Sequence, residues 1–162
     1  MTGSQQWFAF CTHSRAEKRV AKRLSDPGYE VYLPIYIERH KWSDRIKEVE
    51  IPLFKGHIFI KCTPLQFTLI RLVQGIADLA LSTNNQIEPI SDKEIEEIKR
   101  FLRLTDEYKI LNEWGIQKIF KKAIPKKAGE VLRYKNRYMY IHIRQCRMTM
   151  YADTFKMRSI ER

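Results

Sequence analysis

The sequence predicts an α+β fold, an antiparallel sheet flanked by helices, followed by a small β-barrel. Three observations predict it. From His57 onward the residues alternate between two sides, with Ile58 and Ile60 on one and Phe59 and Lys61 on the other, as in a half-buried strand. Ser14 and Ser91 are each followed three residues later by Glu, the signature of a capping box at a helix start. After residue 116, short strand-like runs follow one another closely, which is typical of a small barrel.

The elements of the first part are predicted in the order β-α-β-β-β-α-β-α. Strands are expected over residues 7–12, 29–37, 46–51, 57–61 and 76–81, and helices begin near residues 14, 65 and 91. Pro34 predicts an irregularity in its strand, because proline cannot donate to a ladder. The second and third strands form a long hairpin with Trp42 among basic residues at its tip. Trp42 either packs locally or stacks on a partner.

A change in the sequence pattern along the 162 residues, from alternating helices and strands to short strand-like runs, predicts the domain boundaries. The α+β domain is expected over residues 5–104, a linker over 105–115 and the barrel over 116–162. Within the last part, strand-like runs occur at residues 116–120, 130–134, 138–143 and 147–151.

Basic residues outnumber acidic ones, and the formal net charge is +11. Residues 1–104 carry 16 Lys/Arg and 13 Asp/Glu, whereas residues 105–162 carry 14 and 6. An excess of this size favours polyanionic partners, with solubility as the simpler alternative.

The composition also excludes several classes of protein. There is no apolar run long enough to cross a bilayer and no signal-like N-terminus, so we expect a cytoplasmic protein without a membrane partner. The three cysteines are widely spaced and form no CxxC pair, which predicts neither a disulfide framework nor a zinc site. The four histidines have no metal-ligand spacing, and no phosphate loop or nucleophile motif is present. We therefore expect no enzyme, no catalytic residue, no metal and no cofactor.

Cations are concentrated on the first predicted helix. Arg15, Arg19 and Arg23 recur at i, i+4 and i+8, with Lys18 and Lys22 beside them. Like charges on one helix face repel each other, and a solvated face normally mixes signs. The row favours contact with phosphates over an ordinary solvated face.

Leu53 and Phe54 lie on the connection before the strand that begins at His57. Connecting segments usually run through solvent and are polar. These two side chains therefore either fold back onto the core or form a contact surface, and the sequence around them leaves both interpretations open.

Several motifs, in order along the chain, resemble those of one protein family. They are Trp7-Phe8, Ser14-Arg15-Ala16-Glu17-Lys18, Gly28-Tyr29-Glu30-Val31-Tyr32-Leu33-Pro34, Pro52-Leu53-Phe54-Lys55-Gly56-His57-Ile58-Phe59-Ile60, Val73-Gln74-Gly75-Ile76 and Glu88-Pro89-Ile90. Over residues 7–102 the chain resembles the amino-terminal (NGN) domain of NusG-type transcription elongation factors. Its overall look is similar to that of the specialised RfaH-like and UpxY-like antiterminators.

The resemblance implies a protein that binds the clamp helices of bacterial RNA polymerase and suppresses pausing or termination. Polymerase would be bound by an accessible apolar patch formed by Trp7, Tyr32, Leu33, Pro34, Leu53, Phe54 and Phe59. The resemblance also implies contact with non-template or upstream duplex DNA, made by His13, Arg15, Lys18, Arg19, Lys22, Arg23, His57, Arg71 and Gln74.

The second part departs from the family pattern. The family's carboxy-terminal KOW module usually has a Gly-Pro-Phe-x-Gly turn, of which Pro125 and Gly129 are the traces here, while residues 130–135 resemble the strand that follows it. The resemblance thus implies an SH3-like barrel with a degenerate KOW motif. A ribosomal protein, Rho and RNA all remain open as its partners.

Two hypotheses accompany this interpretation. Some relatives cover their polymerase site with a helical form of the carboxy-terminal module, so a switch of fold is one of them. The other is a different function, that of an RNA-binding, ribosome-associated KOW-type module.

Overall fold

The structure is a computed structural model that describes residues 3–82, 84–104, 109–112, 132–135 and 138–153. The chain divides into two compact units, residues 1–80 and 81–162. The first unit contains β1 (Gln6–Thr12), α1 (Glu17–Ser25), β2 (Glu30–Tyr32), β3 (Ile35–Lys41), β4 (Ile46–Pro52), β5 (His57–Cys62), α2 (Phe67–Arg71) and β6 (Ile76–Leu79).

The first unit is built on an antiparallel sheet with the strand order β2-β5-β1-β6, and β3 and β4 form a separate two-stranded hairpin. The predicted combination of an antiparallel sheet with helices is therefore confirmed. The irregularity predicted at Pro34 is confirmed, but the single strand predicted over residues 29–37 is wrong, because the chain forms two strands there. Pro34 lies between them, and its carbonyl accepts a hydrogen bond of 2.8 Å from the Leu53 amide at the base of the hairpin.

The core of the first unit lies between α1 and one face of the sheet. Strand alternation and the register between β1 and β5 pair Phe10 with Ile58 on that face. Val20 and Leu24 of α1 are fully buried against the same cluster. The apolar stripe of α1 thus faces the sheet, which leaves the cationic side of the helix toward solvent.

The second unit contains α3 (Asp92–Leu104), β7 (Lys109–Asn112), β8 (Leu132–Lys135), β9 (Tyr138–Ile143) and β10 (Met148–Asp153). Its strands form one antiparallel sheet with the order β7-β10-β9-β8. Strands predicted over 138–143 and 147–151 are confirmed by β9 and β10, and β8 overlaps the run predicted over 130–134. Strand β7 falls inside the range predicted as linker, and the run over 116–120 lies outside the described residues. A closed SH3-like barrel stays a prediction.

Candidate nucleic-acid interface

The candidate interface is the α1 cationic face, which we define as His13, Arg15, Lys18, Arg19, Lys22 and Arg23. All six side chains are exposed. Among the residues that the structure describes, Arg15, Arg19 and Lys22 have no carboxylate within ion-pair distance. Lys18 is 3.4 Å from Glu50, in an exposed ion pair of the kind that contributes little to stability. The face therefore carries positive charge that is largely uncompensated and available to an anion.

The start of α1 differs from the predicted capping box. The helix begins at Glu17, its N-cap is Ala16, and no side chain caps it. The Glu17 carboxylate, which is buried, instead accepts a hydrogen bond of 2.8 Å from the Gly56 amide. The predicted Ser14–Glu17 box is wrong, because the Glu17 carboxylate accepts its hydrogen bond from the Gly56 amide, which is distant in sequence, and not from an amide at the start of the helix.

The loop that follows α2 extends the interface. The His13 amide donates to the Gly75 carbonyl at 2.9 Å, and the Arg23 guanidinium donates to the Gln74 carbonyl at 2.8 Å. A glycine is required at position 75, because its φ is +105° and a Cβ there would lie 2.5 Å from Val20 Cγ2. The structure thus brings His13, Arg23 and Gln74 together, as the resemblance implies.

Arg71 and His57 each have a partner within the first unit. Arg71 lies 3.1 Å from the Asp78 carboxylate, so a counter-ion offsets its charge. His57 pairs with Cys11 on the sheet face opposite α1, and its Nδ1 donates to the Lys55 carbonyl at 3.2 Å. Burial lowers the pKa of His57, an effect that this hydrogen bond and the nearby Glu17 charge partly oppose. The His57 ring thus lies apart from the α1 cationic face, and its contact with nucleic acid stays a prediction.

Most of the predicted apolar patch is enclosed. Trp7, Leu53, Phe54 and Phe59 are between 0% and 5% exposed, Pro34 is buried, and Tyr32 and Leu33 are half-buried. Aromatic contacts join three of these side chains: Phe54 meets Phe59 edge-on at 5.8 Å between ring centroids, and Tyr32 stacks on Phe59 at 6.1 Å. Leu53 and Phe54 therefore take the core alternative, and the expectation of an uncovered patch is wrong. A role of these residues in binding polymerase stays a prediction.

An accessible apolar surface exists elsewhere in the first unit and was missed from the sequence. Leu65, Leu69 and Leu72 are 80%, 63% and 77% exposed. We name them the leucine row. Their spacing of i, i+4 and i+7 places them on one side of α2 and its flanking turns. The same spacing was visible in the sequence, but a helical apolar stripe is more often core than surface.

A cleft adjoins the α1 cationic face. Its volume is about 660 Å³, and it is lined by Thr12, Ser14, Arg15, Glu17, Lys18, Ile51, Pro52, Lys55 and Gly56. Three cations and two apolar side chains share this lining. The cleft is thus a mixed surface on which positive charge and apolar contact are available side by side.

Two of the cysteines, Cys11 and Cys62, have raised thiol pKa values. Burial, and secondarily the Asp78 charge, raises the pKa of Cys11, and burial raises the pKa of Cys62 to about 11. Both thiols are therefore held protonated near neutral pH and are poor nucleophiles. In the described ranges, no group of three His, Cys, Asp or Glu side chains is arranged to hold a metal ion.

The family model described as transcription termination factor nusG matches residues 5–99. The chain belongs to the NusG family. This match covers β1 to β6 and part of α3, and it includes every residue of the α1 cationic face. NusG proteins are transcription factors without an enzymatic activity, so the family places this chain among regulators of transcript elongation and termination.

A solved structure described as domain interaction in Thermotoga maritima NusG is 18% identical to this chain. The similarity covers 97% of this chain and 98% of that one, with a TM-score of 0.43. No curated protein matches the chain. Within the described residues, none of the helices has the length and apolarity needed to span a membrane.

Proposed function

We propose that this NusG-family protein binds bacterial RNA polymerase and nearby DNA during elongation and suppresses pausing or termination, as a specialised antiterminator of the RfaH-like or UpxY-like kind. The observation that carries the proposal is the α1 cationic face, which is exposed and largely unpaired in a family domain. An elongation complex in the cytoplasm offers a protein partner and a DNA backbone side by side.

The DNA part of the proposal rests on charge and geometry. Arg19 and Lys22 are exposed on the side of α1 away from its buried stripe, and no carboxylate among the described residues neutralises them. Such cations bind phosphates and release condensed counter-ions, which makes affinity depend on salt. The partner is non-template or upstream duplex DNA, held by its backbone.

We expect Arg19→Gln and Lys22→Gln each to weaken DNA binding and to lower the slope of log K against log [KCl] by about one, because each removes one phosphate contact. Fluorescence anisotropy with a labelled DNA fork over a KCl series measures this slope. Lys93→Gln on α3 is the matched control, since Lys93 is also exposed and its substitution removes the same charge. Equal slopes for all three variants and the wild type would count against phosphate contact at α1.

The polymerase part of the proposal uses the residues that the resemblance implies, namely Trp7, Tyr32, Leu33, Pro34, Leu53, Phe54 and Phe59. Because several of them are buried, docking through the whole patch requires that they become uncovered. Tyr32 and Leu33 remain half-accessible, and the leucine row offers further apolar surface. We propose the clamp helices as the partner of the patch.

Elongation in vitro past a terminator, with and without the protein, tests the function. More read-through and shorter pauses support antitermination, whereas unchanged read-through or more termination contradicts it. Retention of the protein on immobilised core polymerase tests the partner. The RNA-binding, ribosome-associated alternative predicts binding to RNA without retention on polymerase.

The carboxy-terminal part is proposed to be an SH3-like KOW barrel, with the domain boundaries predicted at residues 104 and 116. The described strands β7 to β10 support it, because they form one antiparallel sheet. A ribosomal protein, Rho and RNA are its candidate partners. Affinity measurements of residues 105–162, as part of the full chain, against each of the three would separate them.

A further inference from the structure

The tip of the β3–β4 hairpin presents an aromatic ring to solvent. The Trp42 amide donates to the Arg45 carbonyl at 2.8 Å, which closes the tip around Ser43 and Asp44. The Trp42 side chain is 48% exposed. A ring this accessible at the end of a hairpin is open to contact by another flat group.

Two cations lie against this ring. The Arg45 guanidinium carbon is 5.5 Å and the Lys47 ammonium 5.4 Å from the Trp42 ring centroid. Both distances are typical of cation–π contacts, which hold the cations over the ring. The local packing left open from the sequence is therefore present, but it covers only part of the tryptophan.

The charge at the tip is unbalanced. Glu48 is 3.2 Å from Arg39, Glu38 is 3.1 Å from His40, and Glu50 is 3.4 Å from Lys18, so each of these carboxylates already has a partner. In the described part of the chain, Arg45 and Lys47 have no such partner. Asp44, the carboxylate at the turn itself, is exposed and forms no ion pair with either cation, so the tip combines an exposed ring with two cations that no described carboxylate neutralises.

We propose that the hairpin tip, defined as Trp42, Arg45 and Lys47, is a binding site for single-stranded nucleic acid. An unpaired base displaces a cation from one face of the Trp42 indole and stacks there, and the two cations contact the flanking phosphates. Duplex DNA does not fit this site, because its base faces are already stacked on one another. The site is separate from the α1 cationic face and does not require polymerase.

The first test compares strands with and without bases. We expect the wild-type protein to bind 12-nucleotide oligothymidylate and oligouridylate about tenfold more tightly than an abasic strand of equal length, the effect of one stacked base. Trp42→Ala removes that difference for both strands, whereas Trp42→Phe keeps most of it. Anisotropy of the labelled strands measures the affinities, and thermal unfolding by circular dichroism verifies that each variant is folded.

Further variants separate stacking from general charge attraction. Arg45→Gln and Lys47→Gln each lower the salt slope for the single strand by about one. The matched control for Trp42→Ala is Ile37→Ala. It also truncates an exposed apolar side chain, on the opposite face of the same hairpin, and leaves the affinity for the single strand unchanged. The proposal is overturned if wild-type protein binds the abasic strand as tightly as oligothymidylate. It is also overturned if Trp42→Ala weakens duplex binding as much as single-strand binding.

Failure of the hairpin-tip proposal can be distinguished from failure of the proposed antiterminator function. Loss of read-through activity, or an unchanged slope for Arg19→Gln, would leave the Trp42 comparison intact, because the strands are tested without polymerase. Conversely, Trp42→Ala leaves duplex binding at α1 unchanged and abolishes base-dependent binding at the hairpin tip. Binding of only the RNA strand, or only the DNA strand, would identify which single strand the site takes.

Discussion

His57 shows what burial does to a single side chain. Burial is the main cause of its lowered pKa, because the charged ring loses water that its surroundings do not replace. The neutral ring is the form that the folded protein favours. His57 is therefore a source of pH-dependent stability, and its contact with phosphate stays a prediction.

We expect stability to fall as the pH is lowered through about 6.5, the ordinary pKa of histidine, toward the lower pKa of folded His57. In that window the unfolded state binds the proton more readily than the folded state, so acidification favours unfolding. Urea midpoints at pH 7.5 and 5.5 measure the loss, which His57→Gln reduces. His13→Gln, an exposed control, keeps it; a loss of equal size in wild type and His57→Gln would contradict the assignment.

At the scale of residues, the sequence indicated charge better than exposure. The cations of α1 were recognised from their spacing, because solvated Arg and Lys rarely lie inside a protein. Phe54 was misplaced in an accessible patch, since apolar side chains on a connection serve the core and the surface equally well. Which of the two applies depends on contacts with residues distant in sequence, and the local pattern does not contain them.

At the scale of elements, the start of a helix can be predicted from the sequence when the groups that cap it are close to it in the chain. The capping box at Ser91 is confirmed: Glu94 accepts from the Ser91 amide at 2.7 Å, and the Glu94 amide donates to the Ser91 hydroxyl at 3.2 Å. All its atoms lie within four residues, so the sequence was sufficient. The corresponding box at Ser14 failed because Glu17 bonds to the Gly56 amide.

Contact between α1 and the loop after α2 depends on Gly75. We expect Gly75→Ala to destabilise the protein by about 2–4 kcal/mol, since a left-handed backbone is unfavourable for alanine and the new Cβ would overlap Val20. Chemical denaturation measures the change in the free energy of unfolding.

Gly28→Ala is the matched control for this prediction. Gly28 has the same φ of +105° but nothing within 4 Å of its Cβ position, so it reports the backbone cost alone, about 1–2 kcal/mol. Equal destabilisation by both variants would show that steric overlap with α1 contributes nothing.

At the scale of the whole molecule, the fold class followed from the order of the elements. Strand alternation and helix signals are local, and together they predicted an antiparallel sheet with helices. The strand order β2-β5-β1-β6 and the separate hairpin were beyond the sequence, because pairing partners lie far apart in the chain. For the same reason, the enclosure of the apolar patch became visible only in the structure.

That enclosure changes how the polymerase contact can be tested. We expect Phe54→Ala to lose about 3–5 kcal/mol of stability, because Phe54 is 1% exposed and packs edge-on against Phe59. Thermal unfolding by circular dichroism measures this loss. Leu72→Ala on the exposed leucine row shifts the midpoint little. A Phe54→Ala protein as stable as Leu72→Ala would show that this ring is not part of the core.

The bond between Glu17 and Gly56 has a consequence for the route by which the chain folds. Its two partners are 39 positions apart, so the intervening chain must close into a loop before the bond can form. We expect the opening turn of α1 to consolidate late, after β5 has paired with β1. Long-range closure of this kind slows folding. An isolated peptide of residues 13–26 would lack Gly56 and therefore this hydrogen bond.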